Sequence, residues 1–202
     1  MDGPDEEPER VDTNFSHSNF AEVFYRNWRF IRCRFIGANF QESDVAGCLF
    51  EECDFSGAQL NAAKFTQCNF TNCRFVGANL FIAELSQCRL LGADFTQADL
   101  GGATFRECDL SFANFRHQVL KKFDFHDQKL EGADFHAVDL TEANLGGADL
   151  SGANLTGAIL KQTNLVGATL DRIDFRNVSL DKTKLDMSQA IYVARCYGAT
   201  VS

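Results

Sequence analysis

A large apolar side chain stands at every fifth residue from Phe15 to Leu185, 35 positions with no slip of register. Phe or Leu fills 33 of them, and only Tyr25 and Val45 depart. A period of five matches neither a helix at 3.6 residues per turn nor a strand at 2.0. It is the mark of a short-repeat solenoid, whose units are too small to bury an apolar face alone and must stack to make a core. We call the central Phe or Leu of each unit the hub.

A second column lies two residues before the hub. It holds Ala at Ala38, Ala58, Ala63, Ala78 and many later units, and Cys at Cys33, Cys48, Cys53, Cys68, Cys73, Cys88 and Cys108. Between the columns sits mostly Asn or Asp, as in Ala38-Asn39-Phe40, Ala93-Asp94-Phe95 and Ala153-Asn154-Leu155. Small, polar, large and two variable residues make up the repeat.

This grammar resembles the pentapeptide-repeat proteins, whose motif is A-(D/N)-(L/F)-x-x, over residues 15–185. The resemblance implies an all-β fold, a right-handed quadrilateral β-helix in which four pentapeptides make one coil. Hubs and small residues point inward and the other three positions face solvent. At four units per coil, 35 units give about 8.75 coils, and a strand spacing of roughly 4.8 Å gives a rod about 42 Å long. Residues 20 apart then lie above one another, so Phe15, Phe35, Phe55, Phe75, Phe95, Phe115 and Phe135 form one internal stack. Each buried hub contributes roughly 1.5–3 kcal/mol against the ordering entropy of its unit.

The same map sorts the cysteines into two stacks, Cys33–Cys53–Cys73 and Cys48–Cys68–Cys88–Cys108. Because seven of eight occupy the alanine slot, they read as reduced, small fillers in a cytoplasmic protein. No Cys-x-x-Cys pair and no apolar run long enough to span a membrane occurs, so no metal, cofactor or membrane partner is expected. Eleven of the 15 glycines, Gly37 to Gly167, fall two residues after a hub, near a corner where a positive φ favours glycine.

The grammar weakens in two places. Gln118, Phe123 and Gln128 put bulky side chains in the small slot, which suggests a locally widened coil or a patch for a partner. Val23 and Trp28 break the column near the start, where they help close an exposed core end. After Leu185 the period stops, and Ser188 to Gly198 reads as a short helix with Ser188 as N-cap and Gly198 ending it. The expected organisation is an acidic disordered tail over 1–12, the β-helix over 13–186, and a capping or dimerisation segment over 187–202.

The terminal Gln-Ala-Ile-x-x-Ala pattern followed by Gly looks like the C-terminus of the Qnr-type and MfpA-type branch. That resemblance implies a tail-to-tail homodimer through Ala190, Ile191, Tyr192, Val193, Ala194, Tyr197 and Val201. It also implies binding to a type II topoisomerase, DNA gyrase or topoisomerase IV, by resembling duplex DNA, with protection from inhibitors such as quinolones. Many Qnr members carry loops that interrupt the rod; this chain has none and is closer to the MfpA type.

Charge bears on that reading. The net charge is −9, of which residues 1–12 contribute −5, and residues 13–123 balance. Over 124–160, Asp124, Asp127, Glu131, Asp134, Asp139, Glu142 and Asp149 face only Lys129, a net −6. Such a band could attract a positively charged DNA-binding surface. It also has a plainer use, since a solenoid needs a polar exterior and Asp before a hub can bond locally. Direct nucleic-acid binding is not expected, because the only basic cluster is Arg26, Arg29, Arg32 and Arg34. Nor is an enzyme: His17, His117, His126 and His136 face outward and no nucleophile or phosphate-loop motif occurs. The alternative to a topoisomerase regulator is a rigid cytoplasmic interaction scaffold with another protein partner.

Overall fold

A computed structural model describes residues 9–201 of the chain. The fold is the expected quadrilateral β-helix, and it falls into two compact units, Met1–Cys108 and Asp109–Ser202.

Among the described residues the first unit contains eight three-residue strands, seven of them made of a hub and its two flanking residues and the first centred on Arg10. They are β1 Glu9–Val11, β2 Phe24–Arg26, β3 Arg29–Ile31, β4 Asp44–Ala46, β5 Leu49–Glu51, β6 Lys64–Thr66, β7 Glu84–Ser86 and β8 Thr104–Arg106. All pairing is parallel, in the orders β1-β3-β5 and β2-β4-β6-β7-β8. The register is 20 residues throughout, as in Phe30↔Phe50 and Val45↔Phe65. Single bridges such as Arg34↔Asp54 and Asn39↔Gln59 carry the other two sides in the same register.

The hubs stack as columns. Phe35 and Phe55 lie 4.8 Å apart and 7° from parallel, Phe50 and Phe70 4.9 Å apart and 3° from parallel. Between columns the rings meet edge to face, as for Phe35 and Phe50 at 76°. Both are preferred aromatic geometries, so one column of Phe serves packing in two directions.

Among the described residues pairing is already present at Glu9, which bonds in register with Arg29. Arg10 stands opposite Phe30 in a hub register and places its guanidinium 5.4 Å from the centre of the Trp28 ring. Trp28 in turn stacks on Phe30. The end-closing role expected of Trp28 is thus shared with a cation on its outer face. Residues 1–8 of the expected tail lie outside the described residues.

The second unit repeats the register with bridges from Asp109↔Lys129 to Asn164↔Lys184. Its backbone accounting explains the repeat. Around Leu140, the hub amide donates to Ile159 O, Glu142 N to Lys161 O, and Asn144 N back to Phe123 O. Ala143 N closes the corner on Leu140 O at 2.9 Å. The one amide left, that of Thr141, donates to Asp139 Oδ1 at 3.0 Å. All five N–H groups are satisfied, and an Asn or Asp before the hub, as at Asp139, supplies the fifth acceptor.

The irregular units keep this ladder. Gln118 N, Phe123 N and Gln128 N each donate to the preceding hub carbonyl at 3.2 Å. Gln128 is buried, with Nε2 on His126 O, while Gln118 and Phe123 are half-exposed. Gln118 and Phe123 remain partly exposed while Gln128 is taken inside, and no residue is inserted.

The unit ends in α1, Met187–Cys196. The N-cap is Asp186 rather than Ser188. Asp186 Oδ1 accepts from Gln189 N at 3.0 Å and Gln189 Oε1 accepts from Asp186 N at 2.9 Å, a reciprocal capping box. Ser188 instead donates its hydroxyl to Asp186 at 2.6 Å. Gly198, at φ 84°, ends the helix as expected.

Candidate functional site

The seven acidic residues of the expected band lie at two kinds of position. Asp124, Asp134, Asp139 and Asp149 precede hubs, and each accepts the amide two residues on at 3.0–3.1 Å. Their carboxylates hold the coil. Asp127, Glu131 and Glu142 stand at corners, where no turn needs them.

The 20-residue register spreads the seven over all four sides of the coil. Asp124 shares its side with Asn144, Asp134 with Asn154, Asp139 with Ile159 and Asp149 with Lys129. The acids make a girdle, not a stripe along one side.

The register also brings in cations that are remote in sequence. Arg116 reaches Asp134 at 3.2 Å, Lys121 reaches Asp139 at 3.2 Å, Lys122 reaches Glu142 at 3.6 Å and Arg172 reaches Glu131 at 3.3 Å. His126 lies 3.1 Å from Asp127. Counting charge along the chain therefore overstates the field of the girdle, since four of its seven members sit beside a Lys or Arg. Asp124, Asp127 and Asp149 have no Lys or Arg within 4.0 Å among the described residues.

Burial opposes ionisation of Asp139, but the hydroxyl and amide of Thr141 and the Lys121 ammonium outweigh it and hold the carboxyl below its ordinary range. For Asp149 the hydroxyl of Ser151 is the largest influence, followed by the Ser151 amide, with the same result. Both remain anionic through neutral and mildly acid pH.

At the helix, the residues expected for dimerisation are none of them buried in the single chain. Ala190 is exposed, Ile191, Tyr192, Val193 and Ala194 are half-buried, and Tyr197 and Val201 are exposed. The two tyrosines also tie the helix down: Tyr192 OH bonds Ile173 N at 3.1 Å, and Tyr197 OH donates to Phe175 O at 2.8 Å. Met187, 77% exposed, belongs to the same open apolar end and was not among the expected residues. The hubs Leu180 and Leu185 are half-buried, unlike the hubs from Leu110 to Phe175, which are buried.

Gln189 was read only as part of a sequence pattern. It is 5% exposed and donates from Nε2 to Leu165 O at 2.6 Å and Ala168 O at 2.8 Å. In the coil before, Ala148 O accepts the amide of Thr169, 21 residues on. The carboxamide of Gln189, 21 residues beyond Ala168, replaces the amide of a coil that does not exist. The spacing Asp186-x-x-Gln189 just after the last hub, that of a capping box, was the available signal.

The buried cysteines bond as well as fill. Cys53 Sγ donates to Phe30 O, Cys68 to Val45 O and Cys88 to Phe65 O, each at 3.4 Å and 23 residues back. Thr163 Oγ1 does the same to Leu140 O at 2.7 Å. Burial pushes the Cys73 thiol well up. His117 and His136 approach edge to face at 5.4 Å, but among the described residues no three His, Cys, Asp or Glu side chains gather in a metal-binding group. No described helix is long and apolar enough to cross a membrane.

Comparisons with known proteins agree with this geometry. The model of the pentapeptide repeat region matches residues 78–155, and that of pentapeptide repeats matches residues 11–44, 33–72 and 158–189. No curated protein sequence matches significantly. Among solved structures, full-length QnrB1, described as a plasmid-mediated fluoroquinolone resistance protein, superposes with a TM-score of 0.85 at 26% identity. The match covers 96% of this chain and 98% of QnrB1. A trypsin-treated variant of QnrB1 matches at a TM-score of 0.67 and 28% identity, over 97% and 98% of the two chains. With the 20-residue register, the Asx-closed corners and these matches together, the chain belongs to the pentapeptide-repeat family and is built on the same plan as QnrB1.

Proposed function

We propose that this protein binds a type II topoisomerase, DNA gyrase or topoisomerase IV, as a protein substitute for duplex DNA, and thereby modulates the enzyme or protects it from fluoroquinolones. The observation that carries this reading is the end-to-end match to QnrB1, a fluoroquinolone resistance protein. The acidic girdle supports it in kind, because carboxylates on every side of a coil present negative charge all round, as phosphates do on a duplex. The protein acts by binding and not by turnover, and its thiols are kept reduced in the cytoplasm.

The working form is a homodimer joined at the C-terminal end. Met187, Ile191, Val193, Tyr197 and Val201 leave apolar surface there that a second copy would cover. The dimer brings two girdles into one particle.

A supercoiling assay with purified gyrase, with and without a fluoroquinolone, tests the proposal. The expected result is salt-sensitive inhibition or relief of the drug's effect, lost on removal of residues 187–202. No effect of either kind over a wide concentration range overturns it. A second reading, a scaffold for a different protein, is favoured by the pairing of four girdle carboxylates with Arg or Lys, which leaves less charge to offer. It predicts capture of a non-topoisomerase partner, abolished by changes in Gln118–Gln128 and indifferent to the girdle.

A further inference from the structure

Phe81 and Ile82 occupy the two corner positions of one edge in the first unit, where the coils before and after carry Gln41–Glu42, Asn61–Ala62 and Gly101–Gly102. On an edge otherwise polar or small, they stand out as 50% and 49% exposed. Their backbone is fixed: Phe81 N donates to Asn79 Oδ1 at 3.0 Å, and Ile82 N to Gly101 O at 2.9 Å.

Two local costs accompany the pair. Ile82 is held at φ 52°, in the left-handed region, where a β-branched residue is a true outlier. Asn61, one coil before Phe81 on the same edge, has its Oδ1 sealed from solvent without a hydrogen bond. The corner itself asks for no β-branched residue, since Ala62 and Asn72 hold the same slot at φ 57° and 56°, so the fold does not account for an exposed Ile beside an exposed Phe. The following coil keeps the pair accessible: a Cβ on Gly101 would lie 3.2 Å from Phe81 Cδ2, and one on Gly102 3.0 Å from Ile82 Cγ2. Any larger residues there would crowd the two side chains.

We propose that Phe81 and Ile82 form an apolar anchor that inserts into a pocket of a protein partner with a basic rim. The rim follows from the surroundings, since Glu42, Glu84 and Asp99 are all exposed near the pair, and the cation among them, Lys64, is shared with Glu84 at 4.0 Å. A second copy of this chain does not fit. Two copies meeting here would bring two acidic surroundings together, which repel. A small aromatic plug inside a larger polar contact is the usual composition of a dominant binding residue.

The proposal rests on the topoisomerase reading, and the test separates the two. Purified gyrase holoenzyme is the probe, and its affinity for the full chain is measured at several salt concentrations. The variants are Phe81→Ser with Ile82→Asn, Phe81→Leu alone, and Phe112→Ser as a control at another exposed aromatic corner, 59% exposed. Asn27 and Asn72 already occupy the slot of Ile82 at φ 59° and 56°, so the double variant keeps the fold, and its melting temperature checks this. The expected result is about 30-fold weaker binding by the double variant, mainly through faster dissociation, with an unchanged salt slope. Phe81→Leu should recover most of the affinity and Phe112→Ser should lose less than threefold. Wild-type binding matched within threefold by the double variant overturns the anchor alone. Absence of wild-type binding refutes the topoisomerase reading and the anchor with it.

Discussion

Replacing Gln189 with Ala should loosen the C-terminal coil, and the size of the effect can be worked from four hydrogen bonds. The carboxamide donates to Leu165 O and Ala168 O, its oxygen accepts from Asp186 N, and the residue's own amide bonds the Asp186 carboxylate. Alanine keeps only the last. Leu165 O retains the corner bond from Ala168 N at 2.9 Å, so its loss is partial. Ala168 O loses its acceptor role entirely, and Asp186 N loses half of a capping box. A buried orphan costs about 1–3 kcal/mol and a helix cap about 1 kcal/mol, which together predict a loss of about 3 kcal/mol. For a chain of this size that lowers the melting temperature by about 6–12 °C at fixed protein concentration. Because a solenoid couples nearest neighbours, hydrogen exchange should accelerate at the Thr169 and Lys184 amides and leave that of Asp134 unchanged. Gln189→Glu should be no better than Ala, since it aims a carboxylate at two carbonyls. A Gln189→Ala protein within about 0.5 kcal/mol of wild type, with unaltered exchange, would refute the account of the carboxamide as a substitute coil.

Other expectations follow from the same geometry. Asp139→Asn keeps the acceptor for Thr141 and should cost under about 0.5 kcal/mol, whereas Asp139→Ala should cost about 1 kcal/mol in urea denaturation. Asp139 and Asp149 are held below their ordinary range and Asp174 down to about 2, the last chiefly by the Arg176 side chain. Their contribution is fully present above the unfolded value near about 3.9 and is lost as pH falls through the folded values, so stability measured by denaturation should decline below about pH 4 and flatten near about pH 2. Gly132→Ala should destabilise by about 1–2 kcal/mol, because φ is 63° and the new Cβ would lie 2.5 Å from Phe112 Cε1; a neutral result in thermal melting would contradict it. In the native protein a thiol reagent should modify Cys196 and spare the seven buried cysteines until the protein unfolds.

The fold was legible because its period has one meaning. No helix or plain strand places Phe15 to Leu185 at intervals of five, and once residues 20 apart are stacked, the Phe columns, the cysteine stacks and the glycine corners follow. The site was less legible for a reason that the same register supplies. The charge of Asp134, Asp139, Glu142 and Glu131 is set by Arg116, Lys121, Lys122 and Arg172, which are 18 to 41 positions distant, so a window of 37 residues could not total it. Ser188 looked like the N-cap because its hydroxyl type is right, yet Asp186 wins: a reciprocal bond to the Gln three residues on satisfies two amides where Ser188 satisfies none.

The repeat also separates what the fold demands from what it permits. A carboxylate before a hub can be exchanged for Asn without losing the turn, as Asn144 and Asn154 show with their own bonds to Gly146 and Thr156. Choosing Asp there adds charge for little structural gain beyond an exposed ion pair, and the corner acids Asp127, Glu131 and Glu142 serve no turn at all. The girdle is therefore a property the fold tolerates rather than requires. Neutralising the three corner acids should accordingly leave the melting temperature within about 2 °C, on the scale of exposed charges, while reducing the salt dependence of partner binding. A large loss of stability with no change in salt dependence would mean that these carboxylates belong to the fold after all.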